Sequence, residues 1–197
     1  MTKLAAKPHF DLHLARGFFD AETCRRLIAE LHRSRSTPAI TYGEGERPLV
    51  DERVRKASQL MPSRETVAQV TRRLNEHRQL VGNHFGVTLR GCEEPQFLCY
   101  RVGDFFVAHQ DGNTGLVRIP SDKWRRISVS IFLNHQSQRR EKGAYCGGSL
   151  VFSDWRSSNK SQLAGEAGTM VAFRSEVTHE VTPVTYGERY SIVAWYG

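Results

Sequence analysis

The chain has 197 residues, 39% hydrophobic and 25% charged, which is enough for one domain with a full core and too few for two ordinary ones. That balance excludes a disordered chain, and no apolar run is long enough to span a bilayer. A formal charge of +7 and a pI near 9.5 suit either an acidic partner, nucleic acid or protein, or simply a soluble basic surface.

The N-terminal stretch MTKLAAKPHFDLHLARGFF has no continuous apolar core before a cleavage site, so no secretory signal is expected. The four cysteines, Cys24, Cys92, Cys99 and Cys146, show no CxxC pairing. A cytoplasmic protein with reduced thiols is the simplest expectation.

Two helices are expected first. Asp20 is a good N-cap for AETCRRLIAELHRS, where Leu27, Ile28 and Leu31 share one face. Ser63 caps the second, in which Val67, Val70, Leu74, Val81 and Phe85 form a stripe and Gly86 supplies the stop. Between them residues 36–58 are rich in Gly, Pro and charge and keep no period. They read as a lid or binding loop, or as plain surface loop.

After Gly86 the pattern becomes short strands: PQFLCYRVG, DFFVAHQD, RRISVSIFLN, GGSLVFSDW, GTMVAFRS and RYSIVAWYG. No second helical crossover separates them, so the sheets should be largely antiparallel. The fold class expected is α+β. It is a β-sandwich or a jelly roll (double-stranded β-helix) of mainly antiparallel strands with N-terminal helices packed on one side. Residues 1–197 are expected to form one domain, with helical support and a candidate lid loop in 1–94 and a strand-built core in 95–197.

DFFVAHQD ends an apolar strand on a histidine and an aspartate. Residues i and i+2 of a strand share a face, so His109 and Asp111 can aim an imidazole and a carboxylate into one space. His179, among polar neighbours after another strand-like segment, is the best third ligand. Two His and one carboxylate on one side of a metal is the facial arrangement of non-haem Fe(II) oxygenases. A second HxD, His9-Phe10-Asp11 followed by His13, precedes the first helix and lacks the strand and glycine context, so it is read as incidental.

The ordered set YRVGDFFVAHQD, ISVSIFLN, GGSLVF and HEVTPVTYGERYSIVAWY resembles the Fe(II)- and 2-oxoglutarate-dependent dioxygenases, in their prolyl 4-hydroxylase branch. It is most similar to the oxygen-sensing prolyl hydroxylases and their bacterial relatives. The resemblance covers roughly residues 95–197 and implies Fe(II) at His109, Asp111 and His179, with 2-oxoglutarate and O₂ as co-substrates and ascorbate as a supporting reductant. It places Arg189 on the distal carboxylate of 2-oxoglutarate, where a guanidinium can grip with two parallel hydrogen bonds. Tyr100 and Ser128 fall at positions that contact the co-substrate, and Trp195 at a wall of the substrate pocket. Gly147 and Gly148 resemble the family's paired glycines. Phe132 departs from the pattern, standing where the oxygen sensors carry a second Tyr.

The implied reaction is hydroxylation of a prolyl residue in a protein or peptide, which the positive charge would let be acidic, with release of succinate and CO₂. The same chemistry on a free amino acid, another small molecule or nucleic acid is the alternative. A demethylase of nucleic acid would carry a second Arg after His179, and only Arg189 follows. A non-catalytic metal-binding sensor and a zinc hydrolase are further readings, and neither has a use for Arg189.

Overall fold

The computed structural model describes residues 10–42, 48–112, 124–154 and 159–197. The N-terminal part runs β1 (His13–Ala15), α1 (Ala21–Leu31), β2 (Arg35–Pro38), β3 (Thr41–Tyr42), β4 (Pro48–Leu49), β5 (Arg55–Lys56), β6 (Ser58–Met61) and α2 (Arg64–Phe85). The strands that follow are β7 (Gln96–Tyr100), β8 (Phe105–His109), β9 (Ile127–Phe132), β10 (Cys146–Gly147) and β11 (Leu150–Ser153). The last are β12 (Lys160–Leu163), β13 (Met170–Arg174), β14 (Thr178–Val181), β15 (Val184–Tyr186) and β16 (Arg189–Tyr196).

Both helices begin and end where their capping residues stand. Asp20 is extended and accepts from the Thr23 amide at 2.7 Å, and Ser63 does the same for Thr66 at 3.3 Å. Gly86 closes α2 in the left-handed region at φ 64°, where a Cβ would be strained. Glu30 of α1 joins the two helices. Its carboxylate accepts from the Ser63 amide at 2.7 Å and from the Thr66 hydroxyl at 2.6 Å.

The strands form two main antiparallel sheets. The larger has the order β1-β13-β9-β16-β7-β6-β2, and the smaller β12-β11-β14-β8-β5. With two helices this is the architecture of a jelly roll. Period-2 alternation sorts the larger sheet's side chains. Phe97, Ile127, Val129, Ile131, Ile192 and Ala194 cluster with Leu27, Leu31, Val70, Leu74 and Phe85 of the helices. Their strand neighbours Leu98, Tyr100, Phe132 and Phe173 cluster with Phe152 and Val181 of the smaller sheet. Both faces of this sheet are therefore covered, and all six residues of β9 are buried. Tyr196 fastens α2 from below, its hydroxyl donating to the Leu74 carbonyl at 2.7 Å.

The segment 36–58 is more regular than its sequence suggests. Its start and end pair as β2 and β6, from Arg35↔Met61 to Pro38↔Ser58, and β5 joins the smaller sheet beside β8. All four residues of β2 are exposed, so the ladder hydrogen bonds hold it and no apolar period marks it. Residues 43–47, the centre of the expected lid, lie outside the described residues.

Candidate active site

β8 and β14 are antiparallel neighbours, and His109 stands directly opposite His179 in their register. The ring centroids lie 4.2 Å apart. Asp111 is not part of the strand. It lies in a bend two residues beyond, where its amide and that of Gly112 both donate to the Ser175 carbonyl, at 3.0 and 2.9 Å. A Cβ on Gly112 would stand 2.9 Å from that of Ser175, so a side chain there would push the bend away from its anchor.

The three side chains converge. Asp111 Oδ1 is 3.6 Å from His109 Nε2, and Oδ2 is 3.4 Å from His179 Nε2. The three ligand atoms lie within 4.8 Å of one another. His109 Nδ1 lies 2.8 Å from the Val107 carbonyl oxygen and His179 Nδ1 3.0 Å from that of Val177. A carbonyl can only accept, so each Nδ1 carries the proton and each Nε2 turns its lone pair to the common point. Phe106 stacks on His109 at 3.6 Å, and Phe173 meets His179 edge-on at 4.7 Å. These rings fix the imidazoles and keep water off one side.

The electrostatics suit a cation. Burial pushes the Asp111 carboxyl up, but His179, His109 and the Trp195 indole together hold it well below the usual carboxylate range. The indole N–H faces that carboxylate without reaching hydrogen-bond geometry. Burial, helped by His109, lowers His179 to about 4 against the pull of Asp111. Two imidazoles whose Nε2 atoms face one ionised carboxylate, all largely buried, are a donor set for a divalent metal.

A cavity of about 300 Å³ is lined by the triad on one wall and by Arg189 on another, with Tyr100, Ser130, Phe106 and Trp195 between. Arg189 is 2% exposed. Its Nη1 donates to Ser191 Oγ at 2.8 Å, and its Cζ sits 5.1 Å from the Tyr100 ring and 5.4 Å from that of Phe132. The tight turn at Gly147 and Gly148 makes room for it. Both have positive φ, and a Cβ on Gly148 would lie 3.1 Å from Arg189 Cδ.

Ser128 is placed differently from Tyr100. Its hydroxyl donates to Ser175 Oγ at 2.9 Å, and Ser130 rather than Ser128 lines the cavity. Ser128 thus touches the residue that anchors Asp111. Trp195 pairs with Ser128 across the strands, and the Arg125 guanidinium lies 3.7 Å over its ring. Arg125 itself is held by Glu93 through two bonds of 2.7 and 2.8 Å. Asp11 and His13 gather instead at α2, where Asp11 meets His84 at 2.9 Å. His9 lies outside the described residues.

Sequence reasoning missed Arg55, Arg125 and Tyr145. Arg55 lines the cavity at 8% exposure, with its Nη1 donating to the Ile40 carbonyl at 2.9 Å and its Nε without a partner among the described residues. No local pattern marks it. Tyr145 stands two residues before the first paired glycine, and that proximity was its only signal.

Comparison with known proteins fits this geometry. Residues 95–197 match the model of the 2OG-Fe(II) oxygenase superfamily. A PKHD-type hydroxylase of Shewanella oneidensis is 39% identical over 103 residues, which are 51% of this chain and 41% of that protein. The chain thus spans about two fifths of the length of the curated relatives it matches. A crystal structure of a Pseudomonas putida prolyl-4-hydroxylase superposes with a TM-score of 0.71 at 25% identity, over 95% of this chain and 92% of that one. A prolyl hydroxylase from Trichoplax adhaerens, solved with a hypoxia inducible factor peptide fragment, gives 0.71 at 16% identity, over 95% and 84%. That family uses Fe(II), 2-oxoglutarate and O₂, the cofactor set for which His109, Asp111 and His179 have the donors. By its matched half, its jelly roll and its triad, the chain belongs to the 2OG-Fe(II) oxygenase superfamily.

Proposed function

We propose that this chain is a 2-oxoglutarate-dependent dioxygenase that hydroxylates a prolyl residue of a protein or peptide and releases succinate and CO₂. One observation carries the reading. A single cavity is lined on one wall by two imidazoles and a carboxylate, and on another by a buried arginine with no carboxylate partner among the described residues. A hydrolase would leave that arginine unused.

His109, Asp111 and His179 would hold Fe(II), which supplies the redox chemistry with O₂. The chain's own groups do the rest. Arg189 binds the distal carboxylate of 2-oxoglutarate, with the Tyr100 phenol beside it. Ser128 steadies Ser175, whose carbonyl holds the Asp111 bend. Phe106, Phe173 and Trp195 exclude water from the reacting face. We read residues 95–197 as the catalytic core and residues 1–94, with both helices behind the larger sheet, as its support. Residues 36–58 would drape over the substrate.

Two findings support a prolyl substrate in a polypeptide. The Pseudomonas putida match is a prolyl-4-hydroxylase along nearly its whole length, and the Trichoplax relative was solved with a peptide. An acidic segment suits the mouth, because Arg55 and Arg125 line it and the chain carries +7. Among the described residues no helix is long and apolar enough to cross a membrane.

The test is succinate formation by purified enzyme with Fe(II), 2-oxoglutarate and one candidate at a time. The candidates are a proteome extract, proline-containing peptides, free L-proline and methylated single-stranded DNA. Turnover with peptide or extract, and a product gaining one oxygen on proline by mass spectrometry, is the expected result. Turnover only with free proline or only with DNA overturns the polypeptide substrate.

A further inference from the structure

Arg189 is among the largest fully buried side chains, and its Nε reaches no hydrogen-bond partner among the described residues. Tyr145 is 0% exposed, and its hydroxyl is likewise without a partner. The two groups adjoin. Burial raises the Tyr145 phenol, and the Arg189 guanidinium beside it works against that rise. Two orphaned polar atoms in one dry compartment are unusual, since buried donors and acceptors are nearly all matched.

The packing shows why the phenol sits there. A Cβ on Gly148 would lie 3.2 Å from Tyr145 Cε2 and 3.1 Å from Arg189 Cδ, so the tyrosine ring and the arginine stem share one glycine. At the far end of the ring, a Cβ on Gly165 would overlap Tyr145 Oη at 2.0 Å and meet Phe132 Cδ1 at 3.0 Å. The hydroxyl therefore ends beside Phe132, whose own ring stands 5.4 Å from Arg189 Cζ. Phe132 has no polar atom to offer the arginine. Tyr145 is not among the residues lining the cavity, so whatever it does to a ligand it does through Arg189.

We propose that Tyr145 is a positioning residue for the co-substrate: its phenol oxygen takes the Nε–H of Arg189 and turns the guanidinium so that its free Nη–H bonds meet the distal carboxylate of 2-oxoglutarate. Ser191 holds Nη1 from one side and Tyr145 holds Nε from the other. Fixed at two points, the planar fork is presented edge-on to a carboxylate, which is the strong bidentate arrangement. The hydroxyl that the resemblance places at residue 132 is thus supplied from a different element, the turn before β10. This inference rests on the proposed co-substrate and deepens that site.

Anaerobic calorimetry on the Fe(II)-loaded protein tests it with two keto acids. 2-Oxoglutarate has the distal carboxylate, and 2-oxobutanoate lacks it. Tyr145→Phe keeps the ring and is expected to weaken 2-oxoglutarate about tenfold, the scale of one charge-assisted hydrogen bond, while leaving 2-oxobutanoate unchanged. Adding Phe132→Tyr to that variant is expected to restore most of the loss. Unchanged 2-oxoglutarate affinity overturns the proposal, and so does equal weakening of both keto acids, which would mark a purely structural tyrosine. If Tyr145→Phe does not fold, Gly165→Ala displaces the phenol oxygen without deleting it. The same selective loss is expected there, and no loss or an equal loss overturns the proposal. A wild-type protein that binds neither keto acid overturns the proposed function itself, and this inference with it.

Discussion

His109 and His179 face each other across the antiparallel pair β8 and β14, and each ring is locked by the carbonyl two residues before it. The register brings the two Cα atoms opposite, and the Nδ1 bonds choose the tautomer. The site is therefore set before any metal arrives, and little reorganisation opposes binding.

Replacing a ligand should remove the metal and spare the fold. His179→Ala and Asp111→Ala are each expected to lower Fe(II) affinity by more than about 100-fold, beyond the range for loss of an outer partner. Far-ultraviolet circular dichroism should stay unchanged. His13→Ala, at α2, should bind Fe(II) like the parent. Normal Fe(II) binding by His179→Ala would remove it from the site.

Arg189 is a buried cation held by one hydroxyl and two aromatic faces. Such a group costs stability until a carboxylate joins it. Arg189→Met should therefore raise the Tm of the protein free of 2-oxoglutarate. With co-substrate at about 100 times its Kd the Fe(II)-loaded parent gains about 2.7 kcal/mol, and the variant should gain much less at the same concentration. A thermal-shift series with and without 2-oxoglutarate decides it, and a variant stabilised by 2-oxoglutarate as much as the parent would contradict the assignment.

Gly148 carries a positive φ of 59°, and a Cβ there would meet Val184 Cγ2 at 2.9 Å and Arg189 Cδ at 3.1 Å. Gly148→Ala should cost about 1–3 kcal/mol from backbone strain and crowding. Because the crowded atom belongs to Arg189, the apparent KM for 2-oxoglutarate should also rise. Denaturant unfolding and co-substrate titration measure the two effects separately. A stability loss without any change in KM would mean that Arg189 is not displaced.

Glu30 ties α1 to the start of α2. Burial raises its carboxyl, but the bonds from Thr66 and Ser63 outweigh it and the net shift is downward from 4.5. A lowered folded value means that the stabilisation is complete above the unfolded value and is lost as pH falls through the folded one. Glu30→Gln should cost about 1–2 kcal/mol at pH 7, and the gap to the parent should narrow below about pH 4.5, the ordinary carboxylate range. Urea unfolding at pH 7 and pH 3.5 checks it, and a gap independent of pH would show that the carboxylate charge plays no part.

The sequence alone determined the parts whose physics is local. Asp20, Ser63 and Gly86 mark helix ends because capping satisfies backbone groups within a turn of the cap. Six strands were legible from runs of Val, Ile and Phe between turn residues. His109, Asp111 and His179 were legible from strand alternation and their order along the chain, and Arg189 was singled out through the family resemblance. Tertiary structure alone decided what depends on distant partners. Alternation was hidden in β9 and β16 because both faces of the larger sheet are covered. The hairpin of β2 and β6 was invisible because ladder bonds, not apolar burial, hold its exposed edge. Asp111 reaches the site through the carbonyl of Ser175, a contact 64 residues on in the chain and so absent from any local pattern. Ser128 was drawn away from the cavity by the same Ser175. Tyr145 meets Arg189 only because Gly148 and Gly165 leave space for the ring, and no periodicity encodes the room that two glycines make for a side chain brought from elsewhere in the chain.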